Sequence, residues 1–183
     1  MQIVDGWLDK ARHSPSPNYN DRPDGSTPEL LVVHNISLPP MKYGNGYIEQ
    51  FFLNRLPVDD DPYFKEISAL QVSAHLLIDR GGELLQFVSF DARAWHAGVS
   101  EYQGRSQCND FSIGIELEGS DSIPYTDRQY RSLADVTRAL LNYYPEMSLD
   151  AITGHSDIAP GRKTDPGEAF NWQYFLRLLK DSV

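Results

Sequence analysis

The hydrophobic positions along the chain predict four β-strands. Residues 30–37, LLVVHNIS, form a β-branched apolar run that is typical of a buried strand. Residues 72–79 and 83–90 are two further apolar runs, and the RGG between them predicts a hairpin. In residues 111–119, FSIGIELEG, apolar positions alternate strictly with small or acidic ones, which predicts a strand with one apolar face.

Helices are predicted in three other segments. Residues 46–56 form a short candidate helix, followed by the acidic loop VDDDPY. Thr126 and Gln129 have the spacing of a capping box, and the apolar stripe after them predicts a helix that ends before Pro145. The C-terminal segment carries a second amphipathic stripe. The two stripes consist of Tyr130, Leu133, Val136, Leu140 and Tyr144, and of Trp172, Phe175, Leu176 and Leu179.

The order of these elements predicts the fold class. Strand, helix, hairpin, strand, helix, loop and helix follow one another, which favours a mixed α/β fold with helices packed on a central mixed β-sheet. A chain of 183 residues with 40% hydrophobic composition can bury one sizeable core. No linker divides the chain, so we expect residues 1–183 to form a single domain.

The charge and the cysteine content exclude several classes of function. The formal net charge of −10 argues against a nucleic-acid partner, because phosphate binding relies on clustered Lys and Arg. Cys108 is the only cysteine, so the chain can form no internal disulfide and no cysteine-based zinc finger. The N-terminal segment lacks the pattern of a secretory signal, and no apolar run approaches the ~18 residues of a membrane span. We therefore expect a cytoplasmic protein without a membrane partner.

The densest group of chemically active residues lies in residues 154–167, GHSDIAPGRKTDPG. Polar stretches rich in Gly and Pro are usually surface loops and nothing more. Turns in this loop could nevertheless bring His155 and Asp165 together, and His34 ends the first predicted strand. Two histidines, one carboxylate and a water form a recognised open zinc site. On spacing alone the loop and the metal site both remain possible, and Asp157 competes with Asp165 as the carboxylate.

Several other residues have both a catalytic and a structural interpretation. Glu116 alternates away from the apolar face of its strand, where it could act as a base for water or be merely solvated. Gly114 on the same face leaves room for a ligand or another backbone segment. Lys163 could stabilise an oxyanion beside a metal, or be an ordinary exposed lysine. Trp95 and His96 could pack in the core or form an aromatic wall for a sugar ring.

Four segments of the sequence carry a resemblance to a known family: LLVVHNISLPP, VSAHLLIDRGGELLQFV, RAWHAGVSEYQGRSQCNDFSIGIELEG and TGHSDIAPGRKTDPG. In this order they strongly resemble the zinc-dependent N-acetylmuramoyl-L-alanine amidases of the AmpD type, over about Gly6 to Trp172. The combination of HNISLPP with NDFSIGIELEG is similar to the cytosolic branch that acts on 1,6-anhydro-muropeptides. The resemblance implies a mixed sheet flanked by helices, with one zinc ion in a groove on the sheet.

The resemblance also implies roles for individual residues. The zinc ligands would be His34, His155 and Asp165, each within a family motif. Glu116 would act as the general base for the attacking water. Lys163 would stabilise the oxyanion that forms at the cleaved carbonyl.

The implied substrate is a small anhydro-muropeptide recovered from the cell wall, cut between the lactyl group of the muramic sugar and L-alanine. Asn35, His75 and Trp95 would form the substrate-binding set, His75 by lining the site or by supporting its surroundings. Two alternatives remain: an amidase that acts on polymeric peptidoglycan, and a muropeptide-binding sensor without activity. We expect a monomer with one Zn²⁺ per chain.

Overall fold

The computed structural model describes residues 1–181. Its strands, in chain order, are β1 (Ile3–Val4), β2 (Trp7–Leu8), β3 (Arg12–His13), β4 (Tyr19–Asn20), β5 (Leu30–Ile36), β6 (Leu76–Ile78), β7 (Leu84–Gln86), β8 (Arg93–Ala94), β9 (Glu101–Tyr102), β10 (Arg105–Ser106), β11 (Ser112–Glu118) and β12 (Ile152–Gly154). Its helices are α1 (Tyr47–Phe52), α2 (Pro62–Ile67), α3 (Asp127–Tyr143), α4 (His155–Ile158) and α5 (Trp172–Lys180), and a 3-10 helix spans Cys108–Asp110. Among the described residues, no helix combines the length and the apolar character that crossing a bilayer requires.

Six of these strands form one mixed sheet, in the order β12, β5, β11, β6, β7, β3. The strands β12, β5, β11 and β6 run parallel to one another, and β7 turns back antiparallel to β6 in the predicted hairpin. The longest ladder joins β5 and β11 over seven residue pairs. The mixed α/β fold class with a central sheet and flanking helices is confirmed.

One face of the sheet is covered by α3 and α5. Alternate side chains of β5 and β11 on this face, such as Val33 and Ile115, pack with Leu133 of α3 and Phe175 of α5 in one apolar cluster. All four side chains are fully buried. The cluster therefore holds the two central strands in one register, because a slip by one residue would turn their apolar side chains to the other face.

Within residues 1–181, two clusters cover the two ends of the opposite face of the sheet. Helices α1 and α2 pack over one end through Phe52 and Phe64. The 3-10 helix and the segment around Ala97 cover the other end, where Phe111 joins Val32 in a smaller cluster. Between these two clusters the face opens into a groove.

Helix α3 begins with the capping box that the sequence predicts. The Thr126 hydroxyl accepts a hydrogen bond from the backbone N–H of Gln129, and the Gln129 side-chain oxygen accepts one from the backbone N–H of Thr126, both at 3.1 Å. These bonds satisfy donors that the first turn of a helix leaves free. The Thr126 hydroxyl also donates to the Arg80 carbonyl at 3.0 Å, so the cap joins α3 to the hairpin turn.

Two segments between β5 and the β6–β7 hairpin differ from their predictions. The candidate helix over residues 46–56 ends at Phe52, because Asn54 adopts a left-handed conformation with φ of 57°. The acidic loop after it leads into helix α2, which begins at Pro62. Asp61 caps this helix by accepting from the N–H of its second residue, and Pro62 occupies the first helical position.

The loop predicted around residues 154–167 begins with regular structure. Strand β12 pairs with β5, and α4 follows it directly with one helical turn. A three-residue strand shows no alternation that a sequence pattern could reveal, since its geometry is imposed by pairing with its neighbour. The one turn of α4 is equally short for a 3.6-residue period.

Replacing Thr126 with Ala removes the cap of α3 and leaves the groove intact. We expect the free energy of unfolding to fall by about 1–2 kcal/mol, because the N–H of Gln129 and the carbonyl of Arg80 both lose a partner. Urea denaturation measures this loss. Thr126→Ser keeps the hydroxyl and serves as the control, with stability close to that of the wild type. An alanine variant as stable as the wild type would contradict the prediction.

Candidate metal centre and active site

Neighbouring strands bring three of the predicted site residues side by side. The register of β5 and β11 pairs His34 with Glu116, and the register of β5 and β12 pairs Val33 with Gly154. His155 follows Gly154 immediately as the first residue of α4, so it lies just beyond the end of β12, level with His34. Residues at the same height on adjacent strands point to the same face of a sheet. The two histidines and the glutamate therefore meet on the open face.

Asp165 reaches the same point through the loop after α4. The N–H of Ser156 donates to the Asp165 carbonyl at 2.9 Å, which folds the loop back onto the helix. Asp157 has a different role, because its Oδ2 accepts from the Thr153 hydroxyl and from the Gly154 N–H, both at 2.9 Å. The structure thus brings Asp165, and not Asp157, to the histidines.

The ligand atoms of His34, His155 and Asp165 form a small triangle. The Nδ1 atoms of the two histidines lie 2.9 Å apart, and Asp165 Oδ2 lies 3.1 Å from that of His34 and 3.0 Å from that of His155. A tetrahedral zinc ion with bonds of about 2.0–2.1 Å holds its ligand atoms roughly 3.3 Å apart. Two imidazoles and one carboxylate, with a fourth position free for water, are also a known catalytic zinc set. The residues present therefore fit a zinc ion.

The outer ring nitrogens of both histidines also have partners. Nε2 of His155 lies 3.1 Å from the Ala97 carbonyl oxygen, and Nε2 of His34 lies 2.9 Å from Nδ1 of His96. Arg162 donates to the same Ala97 carbonyl at 2.6 Å. Metal-binding histidines commonly donate their second N–H in this way, which leaves the lone pair of the other nitrogen for the metal.

The protonation states of the cluster suit metal binding. Burial lowers the pKa of His34 to about 4, so its imidazole is neutral at pH 7. Burial by itself would raise the pKa of Asp165, but hydrogen bonds to His155 and His34 outweigh it and hold that pKa well below its usual range. A neutral imidazole and an ionised carboxylate are the forms that bind a metal ion.

The Glu116 carboxyl group is buried beside this cluster. Its residue is 9% exposed, and Oε2 has no hydrogen-bond partner within residues 1–181. Burial raises the pKa of Glu116 well above its usual range, Asp165 raises it further, and Lys163 opposes the rise. A buried polar atom without a partner costs free energy. Such a group is typical of a site that exchanges protons with water or substrate.

These residues line a groove with a volume of about 380 Å³. Asn35, Trp95 and Lys163 line the same groove. The Asn35 amide donates to Asp121 Oδ1 at 2.8 Å, and the Trp95 indole donates to Asn20 Oδ1 at 2.7 Å, so both side chains are held in place. The remaining wall is largely apolar and aromatic, and includes Phe51, Phe52, Tyr63, Ile67, Leu70 and Val72.

His75 lies behind the groove and does not line it. Its side chain is fully buried. Its Nδ1 accepts from the N–H of Gly114 at 3.0 Å, its Nε2 lies 3.1 Å from the Ala92 carbonyl oxygen, and its ring packs against His96 at a centroid distance of 5.6 Å. The structure therefore corrects the expected place of His75 among the substrate-binding residues: it supports the site from inside the fold.

Sequence reasoning does not find the roles of two residues of the site. It leaves His96 either in the core or in an aromatic wall, whereas the His96 ring contacts the candidate ligand His34. This ring fills the space that Gly114 leaves open, where a ligand or a backbone segment is expected. Arg162 has no signal of its own in the sequence. No spacing connects it to Ala97 or to the histidine that shares that carbonyl.

Comparisons with known proteins agree with the geometry. Residues 24–168 match the family described as N-acetylmuramoyl-L-alanine amidase. The chain is 59% identical over 179 residues to the 1,6-anhydro-N-acetylmuramyl-L-alanine amidase AmpD of Escherichia coli (strain K12), which covers 98% of this chain and 97% of that protein. A crystal structure of a selenomethionine derivative of AmpD has a TM-score of 0.95 at 56% identity and covers 98% of this chain and 99% of that chain.

A more distant structure contains a ligand. It is the complex of the N-acetylmuramyl-L-alanine amidase AmiD from E. coli with the substrate anhydro-N-acetylmuramic acid-L-Ala-D-gamma-Glu-L-Lys, and it has a TM-score of 0.60 at 26% identity. The match covers 97% of this chain and 65% of that chain.

The family match, the full-length similarity and the shared fold confirm the resemblance seen in the four sequence motifs. The matched range includes the three residues of the candidate metal site together with Glu116 and Lys163. The chain therefore belongs to the N-acetylmuramoyl-L-alanine amidase family and is an enzyme of that class.

Proposed function

We propose that this enzyme hydrolyses the amide between the lactyl group of 1,6-anhydro-N-acetylmuramic acid and L-alanine in small muropeptides, with one zinc ion per chain. One observation carries the proposal: His34, His155 and Asp165 converge on a single point beside Glu116, whose Oε2 is unpartnered among the described residues. A metal site next to a free base is the arrangement that amide hydrolysis by water needs.

The proposed chemistry gives each residue a distinct role. When bound by His34, His155 and Asp165, a zinc ion supplies Lewis acidity and can lower the pKa of water to about 7. Glu116 accepts a proton from the attacking water at Oε2 and later delivers it to the departing nitrogen of L-alanine. Burial raises the pKa of Glu116, which favours its return of the proton to the leaving nitrogen. Lys163 stabilises the negative charge that develops on the lactyl carbonyl oxygen.

The substrate class rests on the groove and on the relatives. In the groove, polar groups surround the candidate metal site and an apolar, aromatic wall lies beside them. This lining suits a sugar ring joined to a short peptide. Asn35 and Trp95 would contact the sugar and its lactyl-peptide portion. The E. coli relative of nearly equal length is named for the 1,6-anhydro sugar, and the AmiD complex holds an anhydro-muramic peptide.

Three expectations from the sequence stay predictions. They are the organisation of residues 1–183 as a single domain, the monomeric state and the cytoplasmic location. The absence of a nucleic-acid partner or a membrane partner is likewise a prediction, founded on charge and hydropathy.

Mass spectrometry of a reaction with anhydro-muramyl tripeptide tests the proposed activity. We expect the zinc-loaded enzyme to release free tripeptide and the anhydro-muramic sugar. A sample stripped with a chelator should release neither, and adding zinc back should restore the reaction. The same enzyme is incubated in parallel with polymeric peptidoglycan.

The two substrates separate the alternatives. Cleavage of the polymer with the small muropeptide left intact would identify an amidase of polymeric peptidoglycan. Intact forms of both substrates at full zinc occupancy, together with binding of the muropeptide, would identify a sensor. Activity that persists in the stripped sample would contradict the zinc requirement.

Two aspartates of the same loop test the ligand set. Asp165→Asn should lose stoichiometric zinc, because an amide oxygen carries no charge to offset that of the ion. Asp157→Asn is the matched control and should retain zinc, because Asp157 only caps α4. Elemental analysis of the two purified proteins measures the difference. Equal zinc contents would show that the carboxylate ligand is misassigned.

Lys163→Ala tests the oxyanion role. We expect zinc content to stay at the wild-type level and kcat to fall by about 10²–10³, the usual loss for one oxyanion donor. Lys180→Ala, in the last turn of α5, removes another exposed lysine and should leave kcat unchanged. Wild-type turnover by Lys163→Ala would remove this residue from the mechanism.

A further inference from the structure

His96 lines the groove and contacts the candidate ligand His34. Its Nδ1 lies 2.9 Å from Nε2 of His34, and the two rings meet edge to face at a centroid distance of 4.9 Å. The outer nitrogen of His155, the other histidine among the candidate ligands, lies against the backbone carbonyl oxygen of Ala97 instead. The two histidines are thus oriented by different kinds of acceptor, one of them a side chain that can be exchanged by mutation.

A metal ion on Nδ1 of His34 would determine which nitrogen of each ring carries a proton. If His34 offers the lone pair of Nδ1 to a metal, its proton is on Nε2, which then donates to Nδ1 of His96. His96 must in turn carry its own proton on Nε2, which lies 3.2 Å from the Ser112 hydroxyl oxygen. With a metal on Nδ1 of His34, the chain from His34 through His96 to Ser112 is consistent with only one tautomer of each imidazole.

Backbone and packing contacts fix the position of His96. The side-chain oxygen of Asn109 accepts from the backbone N–H of His96 at 3.1 Å, and the buried ring of His75 packs on its other side. The ring lies directly over Gly114 on β11. A Cβ atom at position 114 would come within 2.4 Å of the His96 ring, far closer than carbon atoms can approach. Glycine at this position is thus a condition for the ring to lie where it does.

We propose that His96 is a positioning residue: as a hydrogen-bond acceptor for Nε2 of His34, seated on Gly114, it holds His34 in the orientation and tautomer that bind the metal. This inference rests on the proposed zinc site. A neutral imidazole acceptor orients the ligand without adding negative charge, unlike the carboxylate that often fills this role. The zinc site thereby keeps Asp165 as its one anionic ligand.

Two substitutions of His96 separate hydrogen bonding from packing. His96→Phe keeps an aromatic ring over Gly114 but removes the acceptor. His96→Asn removes the ring but retains an amide oxygen at the δ position, where it can accept from His34. We expect zinc affinity, measured by competition with a chromophoric chelator, to fall by about 10–100-fold in the Phe variant. The Asn variant should recover most of this loss.

Gly114→Ala provides an independent test, because it leaves His96 in the sequence but displaces its ring. We expect this variant to lose zinc affinity as His96→Phe does. Thr126→Ala is the control for a general loss of stability and should bind zinc as the wild type does.

The possible results are distinguishable. Wild-type zinc affinity in both His96→Phe and Gly114→Ala would overturn the inference. An Asn variant as weak as the Phe variant would also overturn it, since packing alone would then explain the effect. Unchanged zinc affinity with a raised KM in the His96 variants would also overturn it, in favour of direct substrate contact. Failure of the wild-type protein to bind zinc would instead refute the proposed metal site.

Discussion

The parallel ladder between β5 and β11 is the constraint on which the site depends. Its register sets His34 opposite Glu116, and pairing of β12 on the other edge of β5 brings in His155. A shift by one residue would turn these side chains into the core formed with α3 and α5. The apolar cluster on the opposite face includes Val33 and Ile115. It therefore stabilises the fold and also keeps the site residues in register on the open face.

The site concentrates groups that are unfavourable to bury. His34 and His155 are almost fully buried, and with Asp165 they place three polar atoms about 3 Å from one another. Glu116 adds a carboxyl oxygen without a partner among the described residues. A bound metal ion would offset the cost of burying the three polar atoms, because it places a cation among them. A hydrogen bond from water or substrate would offset the cost of the unpartnered Glu116 oxygen. The surrounding fold holds these groups in place until then.

Support for the site comes from segments that are distant in sequence. In the segment after β8, the Ala97 carbonyl contacts His155 and the His96 ring contacts His34. Arg162, in the loop that carries Asp165, donates a hydrogen bond to the same Ala97 carbonyl. Gly114 on β11 makes room for the His96 ring. A small displacement in any of these segments would thus reach the ligands, because each contact is a direct hydrogen bond or a close approach of atoms.

The central strands, the hairpin and α3 follow from local patterns, since buried runs, alternation and a capping box act between neighbouring residues. The four motifs also indicated the family and the residues of the candidate site. Spacing alone left Asp157 and Asp165 equivalent, and it left His96 undecided between the core and an aromatic wall. Those choices depend on β12 pairing with β5 and on a loop folding back through the Ser156 hydrogen bond. Only tertiary structure decides them, because contacts between residues far apart in the chain leave no periodic trace in the sequence.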